Sequence, residues 1–152
     1  MVEARSALVQ NSHSGDEVRE QTAAIVLLSE AASVPAARRF VASMLNLWEG
    51  EDDEEVVALL TSEIVSNAVR HAVGDVTVEV TLVTPEELRV RIWDHSAELP
   101  VVRQARPDAV GGHGLQIVEA LAQRWGVERY PDHKVVWFEA PVRARSAPPL
   151  GV

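Results

Sequence analysis

Apolar residues occupy every second position twice over between residues 76 and 94. Val76, Val78, Val80 and Leu82 alternate with Thr77, Glu79 and Thr81, and after the turn Thr84-Pro85-Glu86-Glu87 the pattern resumes at Leu88, Val90 and Ile92, ending on Asp94. A period of two places one side chain in a core and the next outside it, so the segment predicts a half-buried β-hairpin. Apolar spacing changes to three and four on either side. Val41, Met44, Leu45 and Trp48 follow Ser33-Val34-Pro35, read as an N-cap with proline in the first turn. A stronger helical segment runs from Val56 to Ala72 behind the acidic stretch 51–55, whose carboxylates suit a helix start, and Gly74-Asp75 ends it. Leu115, Val118, Leu121 and Ala122 are expected to face inward from a third helix opened by Gly114.

The remaining apolar runs, Ala23 to Leu28, Trp125 to Tyr130 and Val135 to Ala140, read as strands, the last two joined by Pro131-Asp132-His133. The order is strand, helix, helix, hairpin, loop, helix, hairpin. Single strands do not alternate with helices, so this is not a Rossmann pattern. The expected fold is α+β, a two-layer sandwich: a mixed, mostly antiparallel sheet covered on one face by three helices. Residues 22–142 are expected to form the domain, between a disordered tail at 1–21 and a flexible tail at 143–152. The segment 95–113, with Pro100, Pro107 and little periodicity, is long for a loop inside a domain and is expected to be functional, as lids are.

Composition narrows the function. With 152 residues, 47% hydrophobic and 24% charged, the chain suits one globular domain. No stretch reaches the roughly 18 to 20 apolar residues that span a bilayer, and the first residues lack the apolar centre of a secretory signal. The expected location is the cytoplasm, without membrane contact. The absence of cysteine excludes disulfides and thiol nucleophiles. A net charge of −9 and no basic cluster argue against nucleic acid and for a protein partner with a basic patch. Lys134 is the only lysine.

The helix at 56–72 carries the informative chemistry. With Leu60 at zero and about 100° per residue, Val56, Val57, Leu60, Ile64, Ala68 and Ala72 share a broad arc. Asn67 and His71 fall inside it at about −20° and +20°, with Glu63 at its edge near about −60° and Arg70 beside Glu63. A polar side chain in an apolar arc needs a partner. Local hydrogen bonds are one answer. The other is a cation such as Mg²⁺, which takes oxygen ligands and bridges substrate phosphates. Two weaker signals follow in the chain. Ile92-Trp93-Asp94-His95-Ser96 ends a strand in an acceptor-only carboxylate, and Gly111-Gly112-His113-Gly114-Leu115 opens a helix where backbone N–H groups favour anions. The spacing of a Walker A loop is absent.

In combination these boxes resemble the GHKL (Bergerat-fold) ATPase superfamily: Glu63 to Ala72, then Trp93-Asp94-His95-Ser96, then Gly112-His113-Gly114-Leu115. The phrases SEIVSNAVRHA and GGHGLQIVEALAQRWGVE, with the closing VVWFE, are most similar to stand-alone bacterial anti-sigma-factor serine kinases. The likeness spans roughly residues 22 to 142 and implies a histidine-kinase-like ATPase fold that binds ATP and Mg²⁺. It implies that Asn67 holds Mg²⁺ and that Glu63 is the general base, acting on a serine hydroxyl or on water. It places Arg70 and His71 at phosphate oxygens, Asp94 at the adenine amine, and Ser96, Gly112, Gly114 and Leu115 along the nucleotide. It implies a sigma factor and an anti-anti-sigma (STAS-type) protein as partners, with transfer of phosphate to the latter, and a homodimer. Two positions depart from the family: Asp94-His95-Ser96-Ala97-Glu98 replaces an Asp-x-Gly-x-Gly box, and Val135 stands where a hydroxyl residue is often found near the adenine. The departures keep a second expectation open, a module that sequesters its partner without catalysis. No phosphoacceptor-histidine hairpin is read ahead of the domain in this sequence, so a complete sensor kinase is not expected.

Overall fold

The computed structural model describes residues 5–10, 21–48, 50–51, 54–71, 74–95 and 114–144. Strands β1 (Arg5–Gln10) and β2 (Gln21–Leu28) lead into helix α1 (Ser33–Leu47), the two-residue β3 (Gly50–Glu51) and helix α2 (Glu54–His71). The hairpin β4 (Asp75–Thr84) and β5 (Glu87–Asp94) follows, then α3 (Gly114–Leu121), β6 (Arg124–Arg129), β7 (Lys134–Pro141) and β8 (Arg143–Ala144). The main sheet runs β1-β2-β4-β5-β7-β6. The sheet expected to be mostly antiparallel is so, and every neighbouring pair described is antiparallel. Among the described residues, no helix is long and apolar enough to cross a membrane.

Alternation decides which face meets the helices. Ile25, Val78, Ile92 and Val136 form one cross-strand row, and Ala23, Val80, Val90 and Phe138 the next. All eight are buried. Against this face α1 buries Ala37, Val41 and Leu45, α2 buries Val57, Leu60, Ile64, Val65 and Ala68, and α3 buries Val118 in the same core. Two layers result, as expected. Met44 and Trp48 are only half-buried at the margin of α1, and Leu121, expected inside, is 46% exposed. Val118 in α3 and Ala122 just after it pack inward as expected, and Ile117 takes the place of Leu121, because the helix packs against both α2 and β6 and turns that side to them.

Three local expectations change. Ser33 does not cap α1: Ala32 holds that position, and the buried Ser33 hydroxyl donates to the Leu28 carbonyl at 2.5 Å, tying the helix start to the end of β2. Part of the segment expected as a disordered tail at 1–21 forms β1, paired with β2 from Arg5↔Val26 to Gln10↔Gln21. An edge strand offers unsatisfied N–H and C=O groups that recruit a neighbour, a signal that local periodicity does not carry. Arg143–Ala144, in the segment expected as the flexible C-terminal tail, pairs with β3 for the same reason.

The opposite face of the sheet carries charge. Glu139, 3% exposed, receives Arg89 on one carboxylate oxygen at 2.9 Å and Arg124 on the other at 2.8 Å. Arg91 lies over the Trp93 ring at 4.6 Å and pairs with Glu128 at 3.3 Å. Gly126 is opposite Trp137, and a Cβ there would lie 2.8 Å from the indole Cζ2.

Two outcomes follow for stability. Gly126→Ala forces the Trp137 indole from its place and is expected to cost about 1–3 kcal/mol in urea denaturation, part of it recovered when Trp137→Leu is added. Burial pushes the Glu139 carboxyl up, but its hydrogen bonds from Arg89 and the attraction of Arg89 and Arg124 outweigh this and hold it below the usual carboxylate range. A depressed carboxylate stabilises the fold above its unfolded value, and that stability is lost as pH falls through the folded one. Glu139→Gln is therefore expected to cost about 1 kcal/mol near neutral pH, modest because both arginines are partly solvent-screened, with the difference from the parent shrinking in acid.

Candidate functional site

The buried stripe of α2 is wider than an amphipathic surface helix requires and is displaced from the arc expected for it. Val57, Leu60, Thr61, Ile64, Val65 and Ala68 are buried, spanning about 0° to 140° on the wheel, because α1 packs on one flank of α2 and α3 on another. Thr61 and Ser62 satisfy their hydroxyls within the helix by donating to the Val57 and Ala58 carbonyls at 2.8 and 2.9 Å. Glu63 and Asn67, with Val56, are left on the rim, half-buried, one turn apart on one face. His71, expected inside the arc, is exposed at the last turn, as is Arg70. Among the described residues no side-chain hydrogen bond engages Glu63 or Asn67. The rim is where a group must lie to be held by packing and still be reached by a ligand.

The chain then reverses. Gly74 adopts a φ of +99°, a left-handed conformation that favours glycine, and its carbonyl accepts the Ser29 N–H at 3.0 Å. Ser29 also donates its hydroxyl to the Val69 carbonyl at 3.3 Å, fastening the end of α2 to the end of β2. A Cβ at Gly74 would lie 3.8 Å from His95 Cδ2. The reversal after α2 thus meets the end of β5.

Asp94 is the last residue of β5 and continues the inward alternation of Val90 and Ile92, which buries its carboxylate to 1% exposure. The register places Lys134 directly opposite, with Nζ 3.6 Å from Asp94 Oδ1 and the lysine itself 3% exposed. Val135, singled out in the sequence as the residue near the base, pairs instead with Trp93. Successive residues of a strand point to opposite faces, so the side chain beside Asp94 is Lys134. Sequence reasoning missed this residue, although counting back in twos from Phe138 and Val136 reaches it.

Beyond the ends of these strands lies a cavity of about 260 Å³, lined by His95, Arg129, Lys134 and the turn Tyr130 to His133. Tyr130 and His133 stack with centroids 4.5 Å apart, and His95 Nδ1 lies 3.4 Å from the Asp132 carbonyl. The Tyr130 hydroxyl is held above its ordinary value by its hydrogen bond to Glu128, and Asp132 below its own by the hydrogen bond from His133. The sequence reading marked the turn at Pro131-Asp132-His133 but not the stack of Tyr130 on His133.

Gly114 opens α3 as expected, and Leu115 follows it in that helix. Of the segment 95–113 expected as a lid, all but His95 lies outside the described residues, Ser96 and Gly112 included. No group of three His, Asp or Glu that could hold a metal exists among the described residues. A donor set of one half-buried amide beside a carboxylate fits Mg²⁺ that brings its own waters and phosphate ligands, the mode this ion prefers.

No curated protein matches the chain. The model of one family does: the histidine kinase-like ATPase domain, over residues 27–139, from the end of β2 into β7. That span includes Glu63, Asn67, the buried Asp94 and the start of α3, in the two-layer arrangement just described. The chain belongs to the histidine kinase-like ATPase domain family, whose members bind ATP, typically with Mg²⁺.

Proposed function

We propose that this domain binds Mg-ATP between the rim of α2, the end of β5 and the start of α3, and phosphorylates a serine or threonine of an anti-anti-sigma protein while acting as an anti-sigma factor. The observation that carries this reading is the pair Glu63 and Asn67, half-buried on one face of α2, in a fold that buries an acceptor-only carboxylate at Asp94. Bound Mg-ATP supplies the phosphoryl group and the cation that neutralises its charge. Asn67 holds the cation through its amide oxygen. Glu63 accepts the proton of the substrate hydroxyl as that oxygen bonds to the γ-phosphorus and the bond to the ADP oxygen breaks. Asp94 accepts the adenine amine hydrogen. Exposed Arg70 and His71 reach phosphate oxygens. Ser96, Gly112, Gly114 and Leu115 complete the nucleotide site.

Support for this branch of the family comes from the sequence phrases around Glu63 and Gly114 and from a net charge of −9, which favours a protein partner with a basic face over nucleic acid. A homodimer in the cytoplasm belongs to the same proposal. One observation favours a second reading, a non-catalytic module that sequesters its partner: Lys134 already neighbours the carboxylate that would recognise the base.

Calorimetric titration with Mg-ATP and phosphate transfer to a panel of anti-anti-sigma proteins from the source organism separate the two. The kinase reading expects micromolar binding, abolished by Asp94→Asn and made insensitive to Mg²⁺ by Asn67→Ala. Glu63→Gln is expected to keep that binding and to lose transfer by about 10²-fold or more, the usual worth of a general base. ATP bound with no transfer to any of the panel supports sequestration alone, and no ATP bound overturns the site.

A further inference from the structure

Strand β6 ends the main sheet, and among the described residues no strand pairs with its other side. An uncovered edge is a template for a further strand, and edges that stay single are commonly blunted by proline, lysine or a bulge. Residues 124–129 contain no proline and no lysine, and their register with β7 is continuous from Arg124↔Glu139 to Arg129↔Lys134. The ladder also shows which backbone groups face outward. Tyr130 donates its N–H to the His133 carbonyl across the turn, and hydrogen-bonded pairs recur at every second residue of an antiparallel ladder. Arg124, Gly126 and Glu128 therefore spend their N–H and C=O groups on β7, and Trp125 and Val127 turn theirs to the outer edge. The side chains of Trp125 and Val127 pack against the helix-covered core and are only half-buried. Leu121 and Tyr130, each 46% exposed, bracket the strand at its two ends.

The strand is complementary to itself. Only a pairing that sets odd-numbered residues opposite one another uses the outward backbone groups. Centred on Gly126, antiparallel pairing with a second copy joins Trp125 of one chain to Val127 of the other, and the reverse, by backbone hydrogen bonds, and lays their apolar side chains together. On the opposite face it sets Arg124 against Glu128 of the second copy, twice over by symmetry. The next permitted register in either direction sets Gly126 against Arg124 or Glu128 and forms neither ion pair. Both charged residues have partners within the chain, Arg124 with Glu87 and Glu139, Glu128 with Arg91 and Tyr130. Their side chains are nevertheless 62% and 44% exposed, which leaves each open to one more. The strand also carries Arg124 and Arg129 against Glu128 alone, in a chain of net charge −9, which lowers the repulsion between two acidic copies meeting here. We infer that β6 is the contact through which two copies of this chain pair about a two-fold axis at Gly126, joining their main sheets into one. The inference gives the homodimer proposed above its surface and rests on that part of the reading alone, with no need of nucleotide or phosphate transfer.

Sedimentation velocity of the full chain over a concentration series tests the pairing, with Val127→Pro as the variant. One strand pair and its flanks make a small interface, so dimers are expected at micromolar concentrations. Proline at 127 removes an N–H that β7 does not use, and the dimer loses that bond twice over. The variant is expected to fold, as thermal unfolding shows, and to raise the dissociation constant about tenfold or more. The register is read separately by cysteine, since the chain has none of its own. Residues 124 and 128 of the two copies form non-hydrogen-bonded pairs, with Cα atoms about 4.5 Å apart and within reach of a disulfide. A mixture of the Arg124→Cys and Glu128→Cys chains, mildly oxidised, is expected to give the mixed disulfide in excess over either chain linked to itself. This measurement decides alone if Val127→Pro does not fold. The inference falls if the mixed disulfide shows no excess, or if a folded Val127→Pro dimerises as the parent does; in either case a parent dimer leaves the homodimer reading standing on another surface. A parent chain that stays monomeric at every concentration overturns both.

Discussion

Strand β5 is hydrogen-bonded on both sides along its length, to β4 and to β7, and its register governs everything else in the molecule. Val90 and Ile92 point to the helices, with Val78, Val80, Val136 and Phe138 beside them, so the core forms only in this pairing. The same period of two carries Asp94 inward at the end of the strand and Lys134 inward at the start of its neighbour. Packing the core and burying this pair are one event. The hydrophobic rows supply the driving force, at roughly 25 cal/mol per Å² of apolar surface removed from water. The polar pair is carried into the interior by that force and contributes little to it.

Helix α2 shows how a chemical group is kept between core and solvent. Its buried stripe reaches around to Val65 and Thr61 because two helices and a sheet enclose it, and the hydroxyls on that stripe are satisfied within the helix itself. Glu63 and Asn67 lie just beyond. Full burial would demand partners for both at a cost of several kcal/mol, and full exposure would leave them mobile and hydrated. On the rim their positions are set by packing while their polar atoms stay within reach of an incoming ligand. The positive φ at Gly74 and the contacts of Ser29 fix where the helix ends relative to Asp94.

The two faces of the sheet follow different physics. The helix-covered face is a continuous apolar layer, whereas the other carries Arg89, Arg91 and Arg124 interleaved with Glu79, Glu87, Glu128 and Glu139 among two tryptophans. Cross-strand pairs of opposite charge hold the strands in register from outside as the apolar rows do from inside. The close approach of Trp137 to Gly126 belongs to this face as well.

By itself the sequence determined most of the elements and named the candidate site residues. Alternation at 76–94 specified the hairpin, periodicity specified the three helices, and the Glu63 and Asn67 spacing marked a polar stripe on one face of α2, because these are local patterns of 2 and 3.6 residues and need no knowledge of neighbours. Tertiary structure decided what depends on who lies next to whom. Ser33 serves strand β2 and does not cap its own helix. His71 lies outside although its wheel angle falls within the buried arc, because it is the last residue of α2. Arg5–Gln10 becomes a strand only because β2 presents an edge. Lys134 and not Val135 faces Asp94 because cross-strand register is a relation between distant segments, which the one-dimensional pattern constrains in face but leaves unassigned in partner.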